Sequence, residues 1–140
     1  MKRIFLSSIL VTALVLAWSC AASDQQASKL ARGKYLVENV AGCADCHSVR
    51  NEKGEFDQAR WLQGGPLNFA PTVPMPVWAN TAPWIAGLPS LSEADAISLL
   101  ETGKTTTGAM KRPPMPAFRL AHEDAEAVVI YLKSLSTKRG

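Results

Sequence analysis

The sequence predicts an all-α domain, on three observations. Apolar residues recur at helical spacing in three separate segments, no stretch alternates apolar and polar side chains as a strand does, and a long proline-rich segment parts the first helix from the other two. The first helix runs from Lys29 to Val40, with Leu30, Tyr35, Leu36 and Val40 as candidate buried positions. Gly33 lies inside it, where glycine costs up to about 1 kcal/mol against alanine, so close approach by another helix is expected there. The second helix starts at Ser92, whose hydroxyl can cap it while Asp95 completes a capping box. It continues through Ile97, Leu99 and Leu100 and stops at Gly103. The third runs from His122 to Leu135. Its first turn carries Glu123, Asp124 and Glu126, which suits the positive end of the helix dipole, although Ala121 offers no cap hydroxyl. Val128, Val129, Leu132 and Leu135 line its apolar face, and Tyr131 is placed to pack on the Gly33 surface.

At 140 residues the chain has room for one domain. Residues 1–20 read as an export signal: Lys2 and Arg3, the apolar stretch Ile4 to Ala17, then small residues around Ser19 to Ala22. That stretch is shorter than the roughly 20 apolar residues a membrane span needs. Residues 21–28 are small and polar, a tether; residues 29–137 form the domain and 138–140 a tail. The net charge of the full chain is +3; without Lys2 and Arg3, 13 basic residues face 12 acidic ones, a net of +1. A nucleic-acid partner needs a strong basic field, which this chain lacks.

The three cysteines are Cys20, Cys43 and Cys46. An exported protein cannot pair all three, so at least one has a separate use. The run Cys43-Ala44-Asp45-Cys46-His47 has the spacing of c-type haem attachment. Residues three apart on a helical turn share a face, so both thiols can reach the two vinyl groups along one porphyrin edge. His47 is then carried under the iron, where a neutral imidazole is a suitable ligand. A simple disulfide would leave the adjacent His47 a coincidence. A thioredoxin-like pair needs a strand-helix-strand context, and zinc needs about four ligands, of which only His122 and Cys20 remain beyond this run. One covalent haem c is the expectation.

Between His47 and Ser92 lie Pro66, Pro71, Pro74, Pro76, Pro83 and Pro89, six of the nine prolines, with the turn Gly64-Gly65-Pro66. An irregular segment of this length is unusual in a compact domain. A haem resolves it by offering an apolar face to pack on, a core that three short helices cannot supply. Trp61, Trp78 and Trp84 fall in or beside the segment. Core packing is their plain role; the sharper expectation is that the indole N–H of Trp78 or Trp84 donates to a haem propionate, since a buried Trp usually finds a partner. For the second axial position, Met75, Met110, Met115 and His122 compete. Met115 is favoured because Arg112-Pro113-Pro114-Met115-Pro116 restricts the loop and leaves little entropy to lose. Met75, in Pro74-Met75-Pro76, shares part of that logic; Met110 has flexible neighbours, and His122 opens an acidic helical turn.

With these residues in place, the chain resembles the class I monohaem cytochromes c over residues 29 to 136. The likeness rests on Gly33-Lys34-Tyr35-Leu36 ahead of the Cys43 to His47 run, then Pro113-Pro114-Met115-Pro116-Ala117-Phe118, then the closing run Ala127 to Leu135. The resemblance implies a fold in which the first and last helices cross and the haem forms the core. It implies thioethers at Cys43 and Cys46, and His47 and Met115 as axial ligands. The stretch from Pro66 to Pro89 is longer than in the smallest members, so propionate contacts do not carry over. A weaker likeness is to cytochrome domains attached to quinoprotein and flavin dehydrogenases.

The expected function is one-electron transfer rather than catalysis, because His/Met ligation fills both axial positions and leaves no place for substrate. Alternatives are a cytochrome subunit of a periplasmic dehydrogenase, an open-site haem peroxidase, or a gas sensor. Redox proteins are the expected partners and the periplasm or another extracytoplasmic site the expected location. Ser19-Cys20-Ala21 after the apolar core resembles a bacterial lipoprotein processing site, which would give Cys20 a lipid anchor and the tether a purpose. Lys104, Lys111, Arg112 and Arg119 surround Met115 in sequence, as either ordinary solvated cations or a local positive rim that steers an acidic partner.

Overall fold

Gly33 sets how the helices meet. In the computed structural model, which describes residues 23–135, helix α1 occupies residues 23–35 and runs on without a break as a π-helical turn, Leu36–Val40. A Cβ built on Gly33 would sit 1.8 Å from the backbone oxygen of Ala127 and 2.9 Å from Tyr131 Cβ, so the helix backbones touch there. Ala127 lies in α4, His122–Ser134, which is buried along Ala125, Val128, Val129 and Leu132. Helix α3, Glu93–Thr102, packs along α4. Between α1 and α3 stands the short α2, Cys43–His47. The helical class expected from the sequence therefore holds. The signal segment with Cys20, and residues 136–140, lie outside the described residues.

Several local expectations need correcting. The first helix is already formed at residue 23, not Lys29: the stretch expected to be a tether is helical and exposed from 23 to 28. Ala and Gln there are good helix formers, and no glycine or proline stops the helix from propagating outward. Leu30, Tyr35 and Val40, expected inside, are 37%, 52% and 57% exposed, while Leu36 and Val37 are buried. The backbone contact at Gly33 turns the line through residues 33, 36 and 37 inward, so Tyr35 is left in solvent, its ring faced by the Arg32 guanidinium at 5.9 Å. At α3, Ser92 Oγ accepts from the Asp95 N–H at 3.1 Å, as expected of a cap. The Asp95 carboxylate, however, takes the Thr106 N–H at 3.0 Å and the Ser92 hydroxyl at 2.8 Å, so the reciprocal half of the capping box is replaced by a tie to the next loop. Ala121 caps α4 with no side-chain bond.

Ion pairs join α1 to α4. Arg32 forks onto both oxygens of Asp124 at 2.8 and 3.0 Å, and Lys29 Nζ meets Glu126 Oε2 at 2.7 Å. The Arg32 pair is exposed and the Lys29 pair only part-buried, so each contributes at most about 1 kcal/mol; apolar burial carries the interface.

The segment from residue 48 to 92 holds one 3-10 turn, Gln58–Arg60, capped by Asp57, and two short strands. Strand β1, Gly65–Pro66, pairs antiparallel with β2, Thr81–Ala82, Gly65 opposite Ala82. No alternating pattern announces strands of two residues, and Gly64-Gly65-Pro66 leads into one rather than making a turn. Leu62 is fully buried and left-handed, φ +55°, a conformation costing about 1 kcal/mol for a side chain of its kind. It is held by three hydrogen bonds. Its N–H donates to Ser48 Oγ at 2.9 Å, and its carbonyl accepts from Ile85 and Ala86 at 3.0 and 3.1 Å.

Gly33→Ala should lower stability by about 3 kcal/mol or more, because the added methyl meets backbone that cannot move aside cheaply. Chemical denaturation of both proteins checks this; equal midpoints would mean that the helices are not in contact there.

Candidate functional site

Helix α2 begins where Gly42 takes a left-handed conformation, φ +61°, letting the chain turn out of the π-helical segment. Ala41 N–H closes that segment on Leu36 O at 2.8 Å. The single turn that follows presents Cys43, Cys46 and His47. The two sulfurs are not bonded to each other. Burial against the core pushes the Cys43 thiol up to about 11, and burial raises Cys46 as well, so both are protonated thiols near neutral pH.

His47 is 6% exposed, and burial lowers its pKa, so the imidazole is neutral. Its Nδ1 lies 2.8 Å from Pro83 O. A carbonyl only accepts, so Nδ1 carries the proton and Nε2 keeps its lone pair. The same turn is pinned twice more: the Gly64 N–H donates to His47 O at 2.8 Å, and Ser48 holds Leu62. Gly64 is required where it stands, since a Cβ would meet Ala82 O at 2.5 Å, next to the residue whose carbonyl holds His47.

The structure gathers some of the remaining sequence candidates and separates others. Trp84, beside Pro83, is half-buried against the core. Trp78 packs edge-to-face on Phe69 at 5.8 Å, and its Nε1 is buried with no hydrogen-bond partner among the described residues. The next residue, Ala79, donates its N–H to Pro113 O at 2.7 Å, tying the Trp78 segment to the Met115 loop. In that loop the Pro113–Pro114 bond is cis, Met115 N–H reaches Arg112 O at 3.2 Å, and Met115 is half-buried. Met75 and Met110 are more exposed, at 38% and 67%. His122 is exposed, with Nδ1 2.6 Å from Glu101 and Nε2 3.5 Å from Glu126, and its pKa is raised chiefly by the hydrogen bond to Glu101. An imidazole whose two nitrogens already face carboxylates is a poor iron ligand. No cluster of three His, Cys, Asp or Glu side chains among the described residues suits a zinc ion.

Sequence reasoning missed the Pro83 carbonyl, Gly64 and Ser48, since backbone acceptors and long-range pins leave no motif. It also missed Glu38, which accepts from Tyr131 OH and pairs with Lys34. A free-ended imidazole nitrogen, two unbonded thiols one turn apart and an orphaned buried indole N–H together fit a covalently held planar group with acidic substituents.

A helical domain organised around such a turn belongs to the electron-transfer haem class. The chain is a member of the cytochrome c family, whose model matches residues 30–136, and as a member it is an electron-transfer protein. The family implies covalently bound haem c. Over 114 residues it is 32% identical to the fructose dehydrogenase cytochrome subunit of Gluconobacter japonicus, covering 76% of this chain and 22% of that protein. Over 112 residues it is 35% identical to a diheme cytochrome c-type protein of Cereibacter sphaeroides, covering 73% and 34%. The chain thus spans about a third or less of the length of the curated relatives it matches.

The His122 pairing has a pH signature. A raised folded-state pKa means that its stabilisation is fully present below the unfolded value of about 6.5 and is lost as pH rises through the folded value. His122→Gln should lower the unfolding midpoint at about pH 5.5 and leave it unchanged at about pH 9. Equal effects at both would contradict the pairing.

Proposed function

We propose that this domain is a one-electron carrier built on a single haem c. Cys43 and Cys46 would hold the haem by thioethers, His47 Nε2 and Met115 Sδ would be its ligands, and the indole N–H of Trp78 or Trp84 would donate to a propionate. When bound, the group supplies a reversible one-electron couple at the iron. The observation that carries the reading is the buried neutral His47, whose Nδ1 is committed to Pro83 O. That hydrogen bond orients the ring, selects the tautomer and raises the basicity of Nε2. Burial around the turn excludes water, which keeps reorganisation on electron transfer small. The crossing of first and last helices that the family resemblance implies is supported by the backbone contact at Gly33.

A cytochrome subunit of a periplasmic dehydrogenase is the second reading, and the likeness to the fructose dehydrogenase cytochrome subunit favours it. In either reading the partners are redox proteins outside the cytoplasm. Residues 1–20 would then be a lipoprotein-like export signal and Cys20 the lipid-bearing residue. Helical residues 23–28 would continue the link between the anchor and the domain. Mass spectrometry of the mature N-terminus decides the anchor: a diacylated Cys20 is expected, and a first residue downstream of Cys20 would remove it.

Met115→Ala should abolish the weak sulfur-to-iron charge-transfer band, lower the reduction potential and open the iron to carbon monoxide. Met75→Ala should leave all three unchanged. Reversed outcomes would transfer the ligand role to Met75.

A further inference from the structure

The loop that carries Met115 leaves α3 at Gly103 and enters α4 at Ala121. Its outgoing limb is fastened by groups that keep their protonation near neutral pH. Ser98 Oγ donates to Lys104 O at 3.0 Å, and the Asp95 carboxylate accepts the Thr106 N–H at 3.0 Å. That carboxyl is held below its usual range by hydrogen bonds from Thr106 and Ser92. The limb then folds on itself, with Lys104 opposite Met110 and Thr105 N–H on Ala109 O at 2.9 Å.

The returning limb is fastened to two adjacent residues of α3. Leu120 N–H donates to Leu100 O at 3.1 Å, and His122 Nδ1 stands 2.6 Å from Glu101 Oε1. A Cβ built on Gly103 would come within 3.0 Å of Ala117 Cβ, so the two limbs lie close together at the base of the loop. The charged groups that bear on the His122 ring come from three helices. Glu101 reaches it from α3, Glu123 and Glu126 from its own helix, and Lys29 of α1 acts through Glu126, which it meets at 2.7 Å. Glu126 is thus shared with Lys29 and stands 3.5 Å from Nε2, so Glu101 is the stronger partner. With the ring protonated both nitrogens donate, and the bond to Glu101 is charge-assisted, about twice as strong as a neutral one. Loss of the proton leaves Glu101 a neutral N–H and turns an Nε2 lone pair toward Glu126. The hydrogen bond to Glu101 raises the imidazole pKa, so this change falls above the ordinary value of about 6.5.

We propose that His122 and Glu101 form a pH-operated clasp at the base of the Met115 loop, closed while His122 is protonated and released when it gives its proton to solvent, so that Met115 leaves the iron more readily at the higher pH. The proposal rests on the reading of Met115 as an iron ligand and adds what controls that ligand. Because the folded-state pKa is raised, the clasp is fully engaged below about pH 6.5 and is lost as pH rises through the folded value. His122 is exposed, so the clasp changes the opening of the loop by a small factor and does not lock it.

The test uses the haem-loaded full chain in the ferric state, with imidazole as the probe for the position that Met115 holds. At saturating imidazole the binding rate no longer depends on its concentration and reports the opening of the loop. In the wild type that limiting rate should rise roughly two- to fivefold between about pH 5.5 and about pH 9. His122→Gln and Glu101→Gln should show the faster rate at both pH values. His122→Lys, whose charge is fixed over this range, should show the slower rate at both. Hydrogen exchange at the Leu120 amide, corrected for its intrinsic pH dependence, should follow the same pattern. A wild-type limiting rate that ignores pH, or a pH response that survives in His122→Gln, overturns the clasp. A rate that grows with imidazole without limit, and is no faster in Met115→Ala, would instead remove Met115 from the iron, and the clasp as its control with it.

Discussion

The hydrogen bond between His47 Nδ1 and Pro83 O is the constraint on which the site depends. It joins a helical turn to a loop residue 36 positions later, and it decides the chemistry of the ring. With Nδ1 committed as donor and burial disfavouring the imidazolium, Nε2 keeps its lone pair for a ligand role. Much of the segment between α2 and α3 serves to bring that carbonyl into place. Gly64 allows the strands to close where a side chain would collide, and Leu62 accepts a left-handed conformation to deliver its carbonyl to Ile85 and Ala86. The cost at Leu62 is offset by its complete burial and by Ser48, the residue directly after His47.

The helices provide the frame against which this loop is held. Gly33 lets α1 and α4 approach to backbone contact, and Leu36, Val37, Val128 and Leu132 fill the space beside it. Gly87 N–H donates to Leu132 O at 2.7 Å, so the loop that positions Pro83 is itself anchored to α4. Frame and site are therefore one hydrogen-bonded and packed unit: the last helix supports the loop, the loop holds the imidazole, and the imidazole stands beside the two thiols. Lys34, Glu38 and Tyr131 add a polar link at the outer edge of the same helix contact, where burial and the neighbouring carboxylate raise the Tyr131 hydroxyl to about 12 and keep it a donor.

Electrostatics are divided unevenly over the surface. The pairs on α1 and α4 are satisfied locally, whereas among the described residues Lys53, Lys104, Lys111, Arg112 and Arg119 are exposed and form no ion pair, although Lys111 lies close enough to Asp95 to lower that carboxyl. With so small a net charge on the domain, this local imbalance rather than the overall field is what a partner would sense.

The sequence alone determined the helical class, the places of the three principal helices, the close approach at Gly33 and the attachment turn Cys43 to His47. These are legible because each is local: helical spacing, a glycine out of place, or a fixed spacing of reactive side chains. Tertiary structure decided the rest. It turned Leu30, Tyr35 and Val40 outward, because the Gly33 contact and not the apolar count sets the inward face. It extended α1 back to residue 23, replaced the second half of the Ser92 box with a tie to Thr106, and built strands too short for any alternation to show. Above all it chose Pro83 as the partner of His47. A backbone carbonyl is present at every residue, so nothing in the one-dimensional pattern singles it out; only the folded path of the loop brings that one within 2.8 Å of the ring.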